Sequence, residues 1–310
     1  MSASSSLIDT IGNTPLVEVS RFYPNPRVSL KVKLEGANPT GSVKDRIALA
    51  MLDGLERAGR LTPDSVILEP SSGNTGIALA MLCRLRGQRL SVVMPDNVTR
   101  ERRQLLEIYG AQIIESPGAQ GSNGAVALAR RLVGSDERYV MPDQYANPLN
   151  PQAHYDTTGP EIVAACPEVD VFVAGLGTGG TLMGVGRRLR QHNPKIRIIA
   201  AEPMPGEMVQ GLRSLDEGFI PEIFDQSAVD GRQLVTTAES IAALRRLTAT
   251  EGIFAGVSAG GVLAVATRVA DTLESGTVVA LLADGGWKYL SEDVWSRDLD
   301  DESVEALNLW

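Results

Sequence analysis

The chain has 310 residues, of which 43% are hydrophobic and 22% charged, and it carries a net charge of −9. This length is too great for one small core and suits two domains of roughly 100–200 residues each. The acidic balance argues against nucleic acid and anionic membranes as main partners, because both bind basic surfaces. Two cysteines in unrelated contexts and two histidines give no disulfide framework and no metal-ligand pattern, so no metal is expected. No apolar run reaches about 18 residues and no signal-like segment opens the chain, which favours a cytoplasmic protein.

Short apolar runs alternate with helical patterns along the chain. The predicted strands are Val66–Glu69, Leu90–Met94, Ala111–Glu115, Val169–Gly175, Ile196–Glu202 and Thr277–Ala283. The predicted helices are Gly76–Leu85, Arg100–Tyr109, Asn123–Leu132, Thr181–His192, Ala238–Thr250 and Gly260–Leu273. This alternation predicts an α/β fold with two domains, each an open, mostly parallel, twisted sheet with helices on both faces.

The turns of such a fold are where ligands are expected. Open α/β sheets bind ligands in crevices beyond the carboxyl ends of their strands. Residues 141–151, MPDQYANPLNP, are rich in proline and asparagine and indicate a boundary between the two halves. Two domains of this kind suggest a cleft between them, which the polar turns should face.

The first polar turn, NPTGSVKDRIALAM at residues 38–51, leads into an amphipathic helix. Ser42 has the pattern of an N-cap, with Asp45 at the capping-box position, so Lys44 lies in the first helical turn. The helix dipole opposes a cation there, which lowers the pKa of an amine and favours a lysine able to form a Schiff base. The alternative is an ordinary solvated lysine.

Two further turns are rich in hydroxyl groups. PSSGNTGIA at residues 70–78 can hold a carboxylate through hydroxyls, an amide and backbone N–H groups, or it can be a simple helix cap. In GIFAGVSAGG at residues 252–261, Ser258 is either an N-cap or a hydroxyl directed at a buried ring nitrogen.

The glycine turn VFVAGLGTGGTLMG at residues 171–184 has the features of a phosphate site, because backbone N–H groups and a helix N-terminus attract anions. Residues 175–180 also satisfy G-x-G-x-x-G, and Glu202 follows near the position of a ribose-binding carboxylate. Taken alone, the turn therefore points to a nicotinamide or flavin enzyme.

Together these motifs resemble, in the same order, those of the fold-type II pyridoxal-phosphate enzymes, and more narrowly the cysteine synthase branch. The resemblance covers nearly the whole chain, since it extends through IGNTPLV (11–17), MPDN (94–97), ERRQLLEIYGA (101–111) and HYDTTGPE (154–161). The chain is most similar to the B-type enzymes, particularly their phosphoserine-accepting form, through LRSLDEGFIPE (212–222), GGWKYL (285–290) and a tail ending in tryptophan.

The resemblance implies a cofactor, pyridoxal 5'-phosphate, and a role for each motif. Lys44 would bind the cofactor covalently and then act as general base, Asn74 would bond the phenolic oxygen, and Ser258 would face the pyridine nitrogen. The phosphate would be cradled by Gly177, Thr178, Gly179, Gly180 and Thr181. The substrate carboxylate would be held by Ser71, Ser72, Thr75 and Gln144. The domains would be residues 40–148, and residues 1–39 with 149–310.

The implied reaction is β-replacement on an activated serine, by way of an aminoacrylate, to give L-cysteine. Arg213 favours O-phospho-L-serine, because an arginine fork pairs with a phosphate better than with an acetyl ester. The alternative for Arg213 is a surface ion pair with Asp216 or Glu217. The alternative activities are an O-acetylserine sulfhydrylase or S-sulfocysteine synthase using sulfide or thiosulfate, and a cystathionine β-synthase-like enzyme.

Partners follow from the resemblance alone. The sulfur donor could be a small thiocarboxylated carrier protein or sulfide, and the enzyme would be a homodimer. The tail 301–310 would fold over the active site; the alternative is a frayed terminus. A nicotinamide oxidoreductase would explain only the glycine turn, and a non-catalytic binding relative would not need Lys44.

Overall fold

The computed structural model describes residues 6–71, 73–216 and 219–296. The predicted site residue Ser72, the tail 301–310 and Glu217 lie outside these ranges.

Ten strands and nine α-helices alternate through the described residues. The strands are β1 (Leu16–Glu18), β2 (Val28–Leu34), β3 (Val66–Pro70), β4 (Arg89–Pro95), β5 (Gln112–Ser116), β6 (Tyr139–Val140), β7 (Val171–Gly175), β8 (Arg197–Pro203), β9 (Gly231–Val235) and β10 (Gly276–Leu282). The helices are α1 (Lys44–Arg57), α2 (Asn74–Arg86), α3 (Arg100–Ile108), α4 (Gly121–Ser135), α5 (Leu149–Asp156), α6 (Thr158–Ala165), α7 (Gly180–His192), α8 (Thr237–Glu251) and α9 (Val257–Ala270). Within the described ranges, every helix is too short or too polar to traverse a lipid bilayer.

The strands form two sheets. The smaller has the order β5-β4-β3-β6 and is parallel throughout. The larger has the order β1-β2-β10-β7-β8-β9 and is parallel except for the antiparallel edge strand β1. The predicted α/β class with mostly parallel sheets is therefore confirmed. The division into residues 40–148 and the remainder stays a prediction.

Helices cover both faces of each sheet, as strands buried on both faces require. In the larger sheet, β2 and β10 contribute side chains to a core that α8 and α9 close on one side. On the opposite face, α6 and α7 pack against β7 and β8. In the smaller sheet, α1, α2 and α3 share one core with β3 and β4, whereas α4 covers the other face. Each sheet is thus a layer between helices. Because its faces are covered, a ligand-binding site can form only at the ends of its strands.

A buried charge cluster fixes the start of α1. The Arg46 guanidinium donates to Glu35 at 2.8 and 2.9 Å and to Glu161 at 2.7 and 2.8 Å. Glu161 also accepts from Lys33 Nζ at 2.6 Å. Arg46 and Glu35 are almost fully buried, so each needs these partners to offset the loss of water. Because Arg46 is two residues from Lys44, the cluster ties the first turn of α1 to β2 and α6.

Glu161→Gln is expected to lower the free energy of unfolding at pH 7 by about 3 kcal/mol. The two cations hold the pKa of Glu161 at about 2, against an ordinary value of 4.5, although burial opposes this. A depressed carboxyl pKa stabilises the fold above the unfolded value, and this contribution is lost as pH falls from about 4.5 toward 2. Urea unfolding of both proteins at pH 7 and pH 3 should therefore show the difference shrinking at the lower pH.

Glu168→Gln is the matched control for this measurement. Glu168 also accepts from a lysine, Lys31 Nζ at 2.8 Å, but its side chain is 55% exposed. Exposed pairs contribute at most about 1 kcal/mol. Equal losses for Glu161→Gln and Glu168→Gln would contradict a structural role for the buried cluster.

Candidate active site

A cavity of about 380 Å³ opens where strand ends of both sheets meet. Pro95 at the end of β4 and Pro203 at the end of β8 lie in its wall, and Lys44 lies at the start of α1. Eight predicted site residues line the cavity: Lys44, Ser71, Asn74, Thr75, Gln144, Gly177, Thr178 and Arg213. The structure therefore gathers motifs that are up to 169 positions apart in sequence, from Lys44 to Arg213.

Lys44 lies in the first turn of α1, as the sequence predicted, and is its first residue, but the cap differs. The N-cap residue is Val43, and Ser42 Oγ accepts from the Lys44 backbone N–H at 3.3 Å. Asp45 accepts from the Thr40 N–H at 2.7 Å instead of closing a capping box, so the predicted Ser42 cap was wrong.

The amine of Lys44 forms no hydrogen bond or ion pair with another described residue. Burial lowers the pKa of Lys44 below its ordinary value, and the nearby Asp284 carboxylate opposes this shift in part. The predicted direction of the shift agrees with the structure, with burial as its main cause. A lysine in this state offers a neutral amine at neutral pH more readily than a solvated one.

The glycine turn is shaped by close neighbours. Gly179 has φ +86°, and a Cβ there would lie 2.7 Å from Phe224. A Cβ on Gly180 would overlap the Asn150 side chain. Neither position can carry a larger residue without displacing its neighbour.

The glycine turn also presents unused donors. The backbone N–H groups of Gly177, Thr178 and Gly179 donate no hydrogen bond within the described chain, and Gly177 and Thr178 line the cavity. They stand at the N-terminus of α7, which favours an anion. Glu202 is fully buried, accepts from the Leu215 N–H at 3.1 Å and pairs with Arg232 at 2.8 Å. Its carboxylate is therefore not placed for a ribose, which argues against a dinucleotide.

His154 lies behind this turn. Its Nε2 is 3.3 Å from Thr181 Oγ1, and its Nδ1 is 3.0 Å from Thr158 Oγ1. Burial lowers the pKa of His154 well below its ordinary value, and the cations Lys44 and Arg46 lower it further. The imidazole is therefore neutral near pH 7 and supports Thr181 through a hydrogen bond, not through charge.

The hydroxyl-rich loop is one hydrogen-bonded unit. Ser71 Oγ accepts from the Gly76 N–H at 3.0 Å, and Thr75 Oγ1 donates to Gln144 Oε1 at 2.7 Å. The Gln144 N–H donates to Glu69 Oε1 at 3.2 Å, and burial raises the pKa of Glu69 to about 8. Glu69 at the end of β3 thereby fixes the position of Gln144 against the loop.

Ser258 lies deeper than the cavity wall. It is the second residue of α9, whose N-cap is Gly256, so the N-cap alternative was wrong. The side chain is 4% exposed, and its hydroxyl forms no hydrogen bond with another described residue. Gly211 lines the cavity, and a Cβ on it would lie 3.3 Å from Ser258 Oγ, so this hydroxyl lies directly behind Gly211.

Arg213 lines the cavity and has cation–π contacts with two aromatic rings. Its guanidinium carbon lies 4.5 Å from the Phe219 ring centre and 5.3 Å from that of Tyr145. Asp216 is 3.8 Å from Arg232, so the expected alternative of an Arg213–Asp216 pair was wrong. A cation–π contact does not use the guanidinium N–H groups, so they can still bond an anion.

Four residues of the site were not singled out from the sequence: Arg102, His154, Asp284 and Lys288. Each is at most 5% exposed. Arg102 lines the cavity and donates to Gln210 Oε1 at 2.7 Å. His154, Arg102 and Lys288 lie in motifs that carried the resemblance, yet sequence does not show which polar residues of a motif are buried.

Comparisons with known proteins agree with this geometry. The profile of the family described as "Pyridoxal-phosphate dependent enzyme" matches residues 7–284. The chain is 42% identical to cysteine synthase B of Pseudomonas aeruginosa, over 94% of this chain and 97% of the relative. It is also 42% identical to cysteine synthase B of Escherichia coli, over 95% and 97%. Among solved structures, an O-ureido-L-serine synthase superposes with a TM-score of 0.90 at 38% identity, covering 98% of this chain and all of that one.

The residues in the cavity fit the cofactor of that family. Pyridoxal phosphate carries one aldehyde and one phosphate, and the cavity offers one unpaired amine at Lys44 and unused N–H donors at residues 177–179. The family match and these two features of the cavity both indicate pyridoxal phosphate as the cofactor. The chain therefore belongs to the pyridoxal-phosphate-dependent enzymes, and within them it is of the cysteine synthase type.

Proposed function

We propose that this enzyme makes L-cysteine from O-phospho-L-serine and a sulfur donor. The observation that carries the choice of substrate is Arg213, which lines the cavity, lies close to two aromatic rings and does not pair with Asp216. A guanidinium edge bonds a phosphate through two parallel hydrogen bonds, whereas an acetyl ester offers it no charge.

The proposed roles of the chain's residues follow from their contacts. When bound, pyridoxal phosphate supplies the electron sink that acidifies the substrate α-carbon. Lys44, with its lowered pKa, would hold the cofactor aldehyde and, once the substrate amine has displaced it, would take the α-proton. The turn of residues 177–181 would hold the cofactor phosphate, Asn74 would bond the phenolic oxygen and Ser258 would face the ring nitrogen. A neutral hydroxyl at Ser258, in place of a carboxylate, favours elimination over transamination.

The substrate carboxylate is proposed to bind between Ser71, Ser72, Thr75 and Gln144. Ser71, Thr75 and Gln144 line the cavity and belong to one hydrogen-bonded unit. A carboxylate bound here and a phosphate on Arg213 would hold the substrate at both ends, which orients its α-carbon for proton transfer.

The sulfur donor is proposed to be a thiocarboxylated carrier protein or sulfide. We also propose that the enzyme is a cytoplasmic homodimer. Each chain would divide into one domain of residues 40–148 and a second of residues 1–39 and 149–310. These points rest on the sequence and the resemblance alone.

A side-by-side assay tests the substrate assignment. The holoenzyme is given O-phospho-L-serine or O-acetyl-L-serine, each in separate reactions with sulfide, thiosulfate, a thiocarboxylated carrier protein or homocysteine, and the amino-acid product is identified by mass spectrometry. We expect a higher kcat/KM with phosphoserine for at least one donor. A higher value with acetylserine for every donor would assign the enzyme to the acetylserine sulfhydrylases, and cystathionine formed from homocysteine would point to the cystathionine synthases.

A further inference from the structure

Asn74 lies between two buried side chains of opposite charge. Its Oδ1 accepts from Lys288 Nζ at 2.7 Å, and its Nδ2 donates to Asp284 Oδ2 at 2.7 Å. Lys288 is fully buried, and Asp284 is 2% exposed. The carboxamide is therefore gripped at both ends, a feature that the motif GGWKYL did not reveal.

Both charged residues are themselves anchored. Lys288 Nζ donates a second hydrogen bond to Gly41 O at 3.3 Å, and Tyr289 OH donates to Asp284 Oδ2 at 2.6 Å. Lys288 and Tyr289 share one short 3-10 helix, Gly286–Glu292. This helix holds the cation directly and the anion through Tyr289.

The charges decide which way the amide faces. A flipped Asn74 would place its NH2 group against the Lys288 ammonium and its carbonyl against the Asp284 carboxylate. Charged hydrogen bonds are strong in a buried site, so reversing both is unfavourable. One Nδ2 hydrogen is used by Asp284, and the amide has a second. Asn74 lines the cavity, so this second hydrogen is the one it can offer to a ligand.

We propose that Lys288 is a positioning residue, which orients the Asn74 carboxamide so that it presents an N–H donor to an oxygen of the cofactor. The inference rests on the proposed contact between Asn74 and pyridoxal phosphate. It explains why a lysine is buried beside the cavity without facing it: Lys288 does not line the cavity, and it acts through Asn74.

A double-mutant cycle tests this inference. Asn74→Ala, Lys288→Met, the double variant and wild type are compared by the dissociation constant of pyridoxal phosphate, measured by equilibrium dialysis of the full-length holoenzymes. Each single variant should bind the cofactor about tenfold more weakly, as one hydrogen bond predicts. The double variant should also be about tenfold weaker, not a hundredfold, because both changes remove the same contact.

The controls separate positioning from folding. Lys195→Met alters an exposed lysine and should leave the dissociation constant unchanged. Thermal melting of each variant checks the fold. If Lys288→Met does not fold, the cycle is run with Lys288→Gln, which removes the charge and keeps a donor. Its loss of affinity should likewise vanish in the Asn74→Ala background.

Two results would overturn the inference, and they differ. If the losses in the double variant multiply, Lys288 acts independently of Asn74 and only the inference fails. If Asn74→Ala leaves the dissociation constant unchanged, the proposed contact of Asn74 with the cofactor fails as well.

Discussion

Lys44→Ala is expected to lower kcat/KM for cysteine formation by at least about 10³-fold. General acid–base groups contribute about 10²–10⁴-fold, and this lysine is also the proposed attachment point of the cofactor. In wild type, borohydride reduction followed by peptide mass spectrometry should locate the pyridoxyl group on Lys44. In the variant, the adduct and the visible absorbance band of the attached cofactor should both be missing.

Lys195→Ala is the control for Lys44→Ala, since Lys195 is exposed and distant in sequence from every proposed site residue. It should retain the activity, the adduct and the absorbance band. An adduct on a different lysine in wild type, or a Lys44→Ala enzyme with unchanged kcat/KM, would contradict the assignment of Lys44 as base and attachment point.

The pH dependence should reflect the buried amine. Burial lowers the pKa of Lys44, so its neutral form persists to lower pH than that of a solvated lysine. Activity that depends on the neutral amine is retained as pH falls toward this lowered pKa and is lost below it. The sequence predicted this direction from the helix dipole, whereas the structure shows that burial is the larger cause.

Local patterns predicted the elements that carry the site. Strands β3 and β7 end at Pro70 and Gly175, and the polar turns that follow them lead into α2 and α7, as expected. Strand β2 was not predicted, although its sequence VSLKVKL alternates strictly between apolar and polar residues, a pattern that favours a strand; Lys31 and Lys33 occupy two of the polar positions. Their amines are paired with Glu168 and Glu161 at 2.8 and 2.6 Å, and only the fold supplies these partners.

The environment of the site could not be predicted in the same way. Asn74 and Lys288 are 214 positions apart, and the bond between them depends on how the two sheets meet. The motif containing Lys288 was recognised from the sequence. The burial of this lysine, and with it the hydrogen bond to Asn74, was not. The predicted Ser42 cap was wrong because the Asp45 carboxylate accepts a hydrogen bond from the Thr40 N–H. Capping rules do not include this contact.

Arg213→Ala is expected to lower kcat/KM for O-phospho-L-serine by about 10²-fold and that for O-acetyl-L-serine by less than about threefold. A charged hydrogen bond contributes about 1.5–3 kcal/mol, and each 1.4 kcal/mol is tenfold in rate. Arg213→Lys should recover only part of the loss, because an ammonium is a point charge without the planar fork. Initial rates with both substrates at fixed sulfide measure the ratio.

Arg187→Ala is the matched control, because Arg187 also stacks on a tyrosine, at 4.1 Å from the Tyr155 ring centre, yet does not line the cavity. Arg187→Ala should leave kcat/KM unchanged for both substrates. A selective effect of Arg213→Ala would therefore come from the position of Arg213 in the cavity. Arg213 has cation–π contacts with Phe219 and Tyr145, and these contacts leave its N–H groups as donors for a dianionic phosphate. Equal losses with phosphoserine and acetylserine would show that Arg213 supports the wall of the cavity and does not choose the leaving group.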